Sequence, residues 1–388
     1  MVTGGAIALA SNDRLSSGSG TLTLNGGALR YDAAFDNLRA VTLGASGGTL
    51  DTQGYSVTHS TGISGTGALT KAVSGTLTLA AANTYSGDTH LATGTLAVGD
   101  DAALGTGTLQ LDGGTLTGSG AAHTLANAVS FNADTTLGGS QDLTFTGAWT
   151  LTKNRDLTVA NSALTTISGA IGESGGTRSL AKYGSGTLVL TGANTYTGGT
   201  LIAEGTVKIN NSTGSAFGSG AVTVADGATL TGAGHFSGAF QNNGTYSPGN
   251  SPVLAMLSSF NQGSTGVLEI QIGGLVRGTE YDALNVTGAL TFDGQLDVTL
   301  LNGFLPASGA SFNLFDWGSA SGTFATVNLP DLGPGLAWDT SSLYTTGELD
   351  VVTSAIPEPS TYAIMSGLGA LFFAVRRRRA VAFLPLKP

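Results

Sequence analysis

Histidine and cysteine, the usual sources of metal ligands and reactive nucleophiles, are scarce in this chain of 388 residues. There is no cysteine, which excludes disulfides and thiol chemistry. The histidines are His59, His90, His123 and His235, and none has another histidine at the two- or four-residue spacing typical of metal ligands. We therefore predict no metal site and expect the histidines at scattered surface or turn positions.

One segment, Gly172-Glu173-Ser174-Gly175-Gly176, matches the Gly-x-Ser-x-Gly pattern of a serine nucleophile. The chain contains 61 glycines, so a random match is expected, and no strand-to-helix pattern surrounds this one. Phosphate-binding loops and dinucleotide fingerprints are absent from the sequence. We predict no catalytic residue and no cofactor.

Paired carboxylates are the other route to catalysis, because acid–base chemistry on a sugar needs two of them at a suitable separation. The candidates are Asp100, Asp101, Asp112, Asp134, Asp142, Glu173 and Glu204. Only Asp100 and Asp101 form a doublet, and no lysine or arginine lies near it to bind an acidic sugar. We interpret these residues as turn formers and solubilising charges, with an acid–base role as the alternative.

The charge of the chain is unevenly distributed. Residues 1–359 contain 10 basic and 25 acidic residues, a net charge of 10 − 25 = −15. Binding to phosphates requires lysine and arginine, so we do not expect nucleic acid as a partner. Hydrophobic residues make up 41% of the chain and charged residues 10%, which indicates many short strands and tight turns rather than disorder.

Strands with one buried face are predicted by a recurring triplet. Gly-Thr-Leu occurs eight times, and the sequence around it alternates, as in Thr76-Leu77-Thr78-Leu79. A longer repeat supports this: residues 69–97 align without gaps onto residues 180–208, with sixteen identities in 29 positions. Both copies contain Leu-x-Lys, then Ser-Gly-Thr-Leu-x-Leu, then Ala-Asn-Thr-Tyr-x-Gly.

This unit resembles the autotransporter-associated β-strand repeat. The first copy departs from the usual form, because Val73 stands where the second copy has Gly184. The resemblance implies an all-β fold, a right-handed parallel β-helix. The residues agree independently, since one turn of short strands cannot bury its own apolar face and must stack on others. Residues 1–243 are predicted to form this β-solenoid.

Residues 244–353 are predicted to form a terminal β region. They begin near Ser247-Pro248-Gly249-Asn250-Ser251-Pro252 and are similar to the end of autotransporter passenger domains. Aromatic residues are denser here, which indicates a larger-cored cap that closes the solenoid.

Residues 354–388 carry three ordered elements. Pro357-Glu358-Pro359 is followed by the uncharged segment 360–375, which as a helix would extend roughly 24 Å at 1.5 Å per residue. Next come four consecutive arginines, Arg376, Arg377, Arg378 and Arg379. These arginines predict a single transmembrane helix with its C-terminal end in the cytoplasm and residues 1–355 across the membrane.

Together these elements resemble the PEP-CTERM sorting signal of Gram-negative bacteria. The resemblance implies exosortase as a partner, transient insertion into the inner membrane, and a final location in the cell envelope, at the outer surface or outside the cell. Residues 1–5 lack the charged and apolar regions of a secretory signal, so we expect the natural start to lie upstream.

Two functions remain open at this point, and a third is disfavoured. The first is a non-enzymatic surface or extracellular-matrix protein, a β-helical stalk of adhesin type linked to exopolysaccharide or biofilm. The second is a β-helix carbohydrate-active enzyme, a polysaccharide lyase or hydrolase, which requires acidic residues to converge on one groove. The third, an autotransporter passenger, needs a membrane β-barrel of roughly 250 to 300 residues after it, which the resemblance implies and this sequence does not contain.

Overall fold

Short β-strands account for the regular structure of this protein. A computed structural model describes residues 1–12, 20–249 and 252–354, and within these residues it contains forty strands and no helix. Most strands have three or four residues, and their apolar side chains alternate with polar ones that point outward. The predicted all-β fold is confirmed.

The strands succeed one another along the chain with short loops between them. The first group is β1 (Ala6–Leu9), β2 (Leu22–Leu24), β3 (Ala28–Tyr31), β4 (Asp36–Asn37), β5 (Val41–Leu43), β6 (Gly48–Asp51), β7 (Ser56–His59), β8 (Ile63–Gly65), β9 (Leu69–Ala72), β10 (Thr76–Leu79), β11 (Thr89–Leu91), β12 (Thr95–Val98), β13 (Leu109–Leu111) and β14 (Thr115–Gly118). The second is β15 (His123–Leu125), β16 (Val129–Phe131), β17 (Thr135–Gly138), β18 (Leu143–Phe145), β19 (Trp149–Leu151), β20 (Arg155–Val159), β21 (Leu164–Ile167), β22 (Ile171–Glu173), β23 (Leu180–Tyr183), β24 (Thr187–Leu190), β25 (Thr200–Ile202), β26 (Thr206–Ile209), β27 (Val222–Val224) and β28 (Thr229–Gly232). The third is β29 (Phe240–Asn242), β30 (Thr245–Pro248), β31 (Leu254–Leu257), β32 (Phe260–Gln262), β33 (Val267–Ile272), β34 (Ala283–Phe292), β35 (Gln295–Leu300), β36 (Ser311–Asn313), β37 (Phe315–Gly322), β38 (Thr326–Asn328), β39 (Leu336–Asp339) and β40 (Glu348–Thr353).

Parallel pairing assembles these strands into the long sheets of a solenoid. The first sheet has the order β1-β3-β6-β9-β11-β13-β16-β19-β22. The second has the order β31-β34-β32-β29-β27-β25-β23-β20-β17-β14-β12-β10-β7-β4, with β37 paired to β34. The third has the order β15-β18-β21-β24-β26-β28-β30-β33-β35-β38, and a smaller sheet, β2-β5-β8, precedes it along the chain. The predicted parallel β-helix is therefore confirmed, with about 12 turns.

Each turn of the solenoid contains about twenty residues. Thr89 pairs with Leu109, and Leu109 pairs with Val129, so both steps are 20 residues (109 − 89 and 129 − 109). Inward side chains consequently stack in columns, and the pairing of Leu77 with Leu96 is one such step. This stacking buries the apolar face that a single turn cannot bury alone.

The two repeat copies occupy different sides of the solenoid. The Leu-x-Lys strand of the first copy is β9 in the first sheet, whereas that of the second copy is β23 in the second sheet. Their offset of 180 − 69 = 111 residues is more than five turns of 20 and less than six, so the second copy starts on another side. The same motif thus builds more than one side of the solenoid.

The terminal part contains a cluster of aromatic side chains. The ring of Phe292 contacts four others edge-on, with centroid separations of 5.4 Å to Phe315, 5.7 Å to Trp317, 5.1 Å to Phe324 and 5.3 Å to Tyr344. Beyond the parallel strands lies an antiparallel sheet, β36-β40-β39. Its hydrogen bonds run in a different pattern from those of the solenoid.

Several predicted segments lie outside the described residues. These are Pro357, Glu358 and Pro359, the predicted membrane helix 360–375, and Arg376 to Arg379, together with residues 250 and 251 of the Ser-Pro-Gly-Asn-Ser-Pro turn. Within the described part of the chain, no helix has the length and apolar character needed to cross a membrane.

Candidate functional site

The lysine of each repeat copy is buried and bound to backbone oxygens. The Nζ of Lys182 donates to the carbonyl oxygens of Gly184 at 2.5 Å, Gly186 at 2.6 Å and Glu204 at 2.8 Å. The Nζ of Lys71 likewise donates to three carbonyl oxygens, those of Ala72, Val73 and Thr93. Both side chains are at most 1% exposed. Three carbonyl acceptors match the three donors of an ammonium group.

Burial lowers the pKa of Lys71 and of Lys182 to about 8. Both amines therefore remain mostly protonated at neutral pH and keep their three donors. A lysine with a lowered pKa is often a catalytic group, but here the side chain is buried and Nζ makes three hydrogen bonds to backbone carbonyl oxygens. The arrangement closes a tight turn of backbone, and its role is structural.

The turn Asn-Thr-Tyr-x-Gly uses its polar atoms inside the solenoid. The Oδ1 of Asn194 accepts a hydrogen bond from the Ile171 amide at 2.7 Å, and its Nδ2 donates to the Ala216 carbonyl at 2.5 Å. The hydroxyls of Tyr196 and Thr200 are 2.6 Å apart. In the first copy Asn83 and Tyr85 make the same kinds of contact, and burial raises the pKa of both tyrosines well above the usual range. These side chains link adjacent turns.

The carboxylates that the sequence singles out do not converge on one groove. Six of the seven accept a hydrogen bond from a backbone amide, which is what a turn residue does. The pairs are Asp100 with Ala102, Asp101 with Thr124, Asp134 with Asp156, Asp142 with Leu164, Glu173 with Arg178 and Glu204 with Gly184. The seventh, Asp112, contacts two side chains on neighbouring turns.

Two histidines pair with aspartates from the adjacent turn, a contact that the sequence did not reveal. His90 Nδ1 lies 2.7 Å from Asp112 Oδ2, and His123 Nδ1 lies 3.1 Å from Asp101 Oδ1. Each pair is 22 residues apart, about one turn of the solenoid. A search of the sequence for partners two or four residues away cannot find such pairs.

The expectation that all four histidines occupy surface or turn positions is wrong for two of them. His59 is 1% exposed and His123 is 7% exposed. Burial lowers the pKa of His59, whose Nδ1 lies 2.9 Å from the Thr61 carbonyl oxygen. Both rings stand at inward positions of strands, where the alternation of the sequence directs them.

The Gly172–Gly176 segment consists of the last two residues of β22 and the first three of the loop that follows. Glu173 Oε2 accepts from the Arg178 amide and Oε1 from the Thr197 hydroxyl, both at 2.6 Å. The Ser174 amide donates to the Leu151 carbonyl of the preceding turn. No helix follows within the described residues, so the geometry of a nucleophile elbow is missing.

No three histidine or acidic side chains in the described ranges come together in a way that would hold a metal ion. The outward polar residues instead form rows along the sheets. On the first sheet the row contains Asp112, which accepts from Asn132 Nδ2 at 2.9 Å, while Asn132 Nδ2 also donates to Gln110 Oε1 at 2.8 Å. Such a row presents acceptors and donors to solvent at the spacing of the strands, about 4.8 Å.

A second polar row runs along the third sheet, on β33, β35 and β38, and ends in an open groove beside the antiparallel sheet. We call it the terminal groove, and its cavity volume is about 500 Å³. Its lining residues are Glu269 and Gln271 on β33, Asp297, Val298 and Thr299 on β35, and Asn328, Leu329 and Pro330 at and after β38. Carboxylates, amides and apolar side chains share this cavity.

The fold and these rows define a class of protein, a parallel β-solenoid with a polar exterior. Two family models match the chain. The passenger-associated-transport-repeat matches residues 69–98 and 180–209, and the PEP-CTERM protein-sorting motif matches residues 355–379. Both resemblances stated from the sequence are confirmed: the chain carries two such repeats and this sorting motif.

The chain is also similar to a curated protein, the adhesin BmaC autotransporter of Brucella suis biovar 1 (strain 1330). The two are 28% identical over 298 residues, an alignment that covers 53% of this chain and 9% of the adhesin. The chain therefore spans about a tenth of the length of that relative. Together with the sorting motif, this similarity indicates an exported β-helical protein of the cell envelope or surface.

Proposed function

We propose that this protein is a non-enzymatic surface or matrix protein, sorted by exosortase and associated with exopolysaccharide. Residues 1–243 would form a stalk, residues 244–353 its terminal β region, and residues 354–388 the sorting signal. In that signal Pro357, Glu358 and Pro359 would be the recognised motif. Arg376 to Arg379 would hold the C-terminal end of segment 360–375 on the cytoplasmic side until processing.

The observation that carries the proposal is the PEP-CTERM match at residues 355–379, which begins just after β40, the last strand that follows the solenoid. An acidic body with outward threonine, serine and asparagine rows suits an exposed protein, because polar and charged side chains favour contact with water. The similarity to a protein named as an adhesin points to the same surface location.

The absence of an acidic cluster at the predicted carboxylates supports a non-enzymatic role. The enzyme alternative requires these residues to converge, whereas six of the seven bind backbone amides in separate turns. Their oxygens stabilise corners of the solenoid and are not grouped around a cavity. The hydrogen bonds of these carboxylates are therefore better explained by a structural role than by catalysis.

The test is to follow the mass and location of the full chain, provided with a secretion signal, in a Gram-negative host with and without an exosortase. We expect a shortened surface or extracellular form only when exosortase is present. Replacing Pro357, Glu358 and Pro359 by alanine should abolish processing, whereas the matched control Pro334→Ala, at an exposed loop position, should not. An unprocessed protein in the inner membrane of both strains would contradict the proposal.

The matrix role is tested separately by retention on purified exopolysaccharide from a strain that makes this protein. We expect the processed chain to be retained, and its deletion to leave more polysaccharide free of protein. No retention would remove the matrix role and leave the sorting proposal intact.

A further inference from the structure

The terminal groove lies where the third sheet of the solenoid meets the segment leading into the antiparallel sheet. Its floor is a set of paired outward residues, because Glu269 pairs with Asp297 and Asp297 pairs with Asn328 on successive strands. Gln271 pairs in the same way with Thr299. Neighbouring strands are about 4.8 Å apart, so the two carboxylates stand side by side on one face.

Hydrogen bonds within the groove hold one of these carboxylates in a fixed orientation. Asn328 Nδ2 donates to Asp297 Oδ1 at 2.7 Å, and Gln295 Nε2 lies 2.9 Å from both Asp297 oxygens. These amide donors fix the plane of the Asp297 carboxylate. Glu269, in contrast, accepts no hydrogen bond from the residues that the structure describes, so its carboxylate is available to a ligand.

One wall of the groove is apolar and rigidly held. Leu329 and Pro330 form this wall, and Trp338 of β39 donates from Nε1 to the Pro330 carbonyl oxygen at 2.8 Å. The wall is thereby tied to the antiparallel sheet. A ligand in this groove would contact planar polar groups on one side and hydrocarbon on the other. Sugar rings offer the same division, with hydroxyls at their edges and C–H bonds on their faces.

The charge of the groove selects among sugars. Its lining contains two carboxylates and no lysine or arginine, so it would repel uronic acids and sulfated glycans. The unpaired carboxylate of Glu269 suits an ammonium or hydroxyl donor. The volume of about 500 Å³ falls within the roughly 300–1,000 Å³ of small-ligand sites.

We propose that the terminal groove binds an amino-sugar segment of a glycan, with Glu269 and Asp297 receiving its ammonium and hydroxyl donors. This proposal rests on the proposed association with exopolysaccharide and gives it a site and a sugar class. Binding without cleavage is expected, so the segment should leave the groove intact.

The test is calorimetric titration of the full chain, in detergent, with three oligosaccharides of equal length: β-1,4-linked glucosamine, the neutral β-1,4-linked glucose oligomer, and oligogalacturonate. We expect the glucosamine oligomer to bind most tightly and the galacturonate not to bind. Glu269→Gln keeps the shape of the side chain and removes its charge, so it should weaken glucosamine binding about tenfold. Asp226→Asn, at an exposed turn position, removes the same charge and should leave binding unchanged.

Absence of binding by the unaltered protein would overturn the proposal. Equal affinity in Glu269→Gln, or equal affinity for galacturonate, would do so as well. Release of new reducing ends during the titration would make the groove a hydrolytic site and would overturn it on that ground.

The failure of this inference is distinct from failure of the proposed function. Suppose that the chain is processed and retained on exopolysaccharide but Glu269→Gln binds the glucosamine oligomer as tightly as the unaltered protein. The groove is then not the binding site, and the proposed function stands. If the groove binds glucosamine oligomers but the chain is neither processed nor exported, the groove inference stands and the proposed function fails.

Discussion

Lys182 donates a hydrogen bond from Nζ to the carbonyl oxygen of Glu204 at 2.8 Å, although the two residues are 22 positions apart. Lys71 reaches Thr93 over the same sequence separation, at 3.3 Å. In each repeat copy one lysine thus fastens its own tight turn to the backbone of the next turn of the solenoid. The Leu-x-Lys element is therefore part of the stacking, because its ammonium group binds backbone carbonyl oxygens of two successive turns of the solenoid.

Replacing this lysine should destabilise the protein far more than replacing an exposed lysine. Lys182→Met keeps an apolar stem of similar length and removes three hydrogen bonds from Nζ to backbone carbonyl oxygens. We expect a loss of about 3 kcal/mol in the free energy of unfolding, measured by urea denaturation. Lys153→Met, at an exposed position, is the matched control and should change stability by less than about 0.5 kcal/mol. Equal effects of the two variants would show that the buried bonds contribute nothing.

Val73 stands in a backbone conformation that suits glycine. Its φ is +66°, and the corresponding Gly184 of the second copy has φ +80°. A β-branched residue in this region is strained, and the side chain is 42% exposed, so it gains little from packing. We expect Val73→Gly to stabilise the protein by about 1 kcal/mol, as a higher midpoint of thermal unfolding. Gly184→Val should do the opposite, and a loss of stability in Val73→Gly would contradict this account.

The sequence predicted the strands well because the relevant signal is local. Alternation around Thr76-Leu77-Thr78-Leu79 directs the leucines inward, and the structure buries both of them. The same alternation contained a signal that we did not use. Lys71 stands two residues after Leu69 and so faces the core with it, which predicts a buried ammonium group.

Contacts between turns could not be predicted, because the length of a turn varies. Thr76 pairs with Thr95 after 19 residues, whereas Thr135 pairs with Leu157 after 22. A difference of one residue moves a side chain to the other face of the sheet. For this reason the sequence did not reveal the His90–Asp112 pair or the carboxylates of the terminal groove, which depend on register alone.

One corner of the solenoid requires glycine at three successive turns. A Cβ on Gly220 would overlap the carbonyl oxygen of Gly198, and a Cβ on Gly238 would overlap that of Gly220. We expect Gly220→Ala to separate these turns and to lower the free energy of unfolding by about 3 kcal/mol, measured by urea denaturation. Gly20→Ala, which has open space around it, is the control and should be nearly neutral. A neutral Gly220→Ala would show that the corner can widen freely.

Asp282 should make the stability of the terminal region depend on pH. Burial raises its pKa to about 7, even though its oxygens accept from the amides of Val253 at 2.8 Å and Gln271 at 2.9 Å, which act in the opposite direction. The unfolded chain titrates this group near its ordinary value of 3.8, so between about pH 4 and pH 7 the folded state holds a proton that the unfolded state has released. The stabilising contribution is therefore complete below pH 4 and is lost as pH rises through 7.

The Asp282→Asn variant tests this dependence, because it cannot titrate. We expect the free energy of unfolding of the unaltered protein to fall by more between pH 5 and pH 8 than that of the variant. Hydrogen bonds lower the pKa values of three other carboxyl groups, those of Asp101, Glu173 and Asp339. These groups make the protein less stable as pH falls, which is the opposite direction. They are present in both proteins, so their contribution cancels in the comparison. Parallel pH profiles of the two proteins would mean that Asp282 is ionised in the folded state throughout this range.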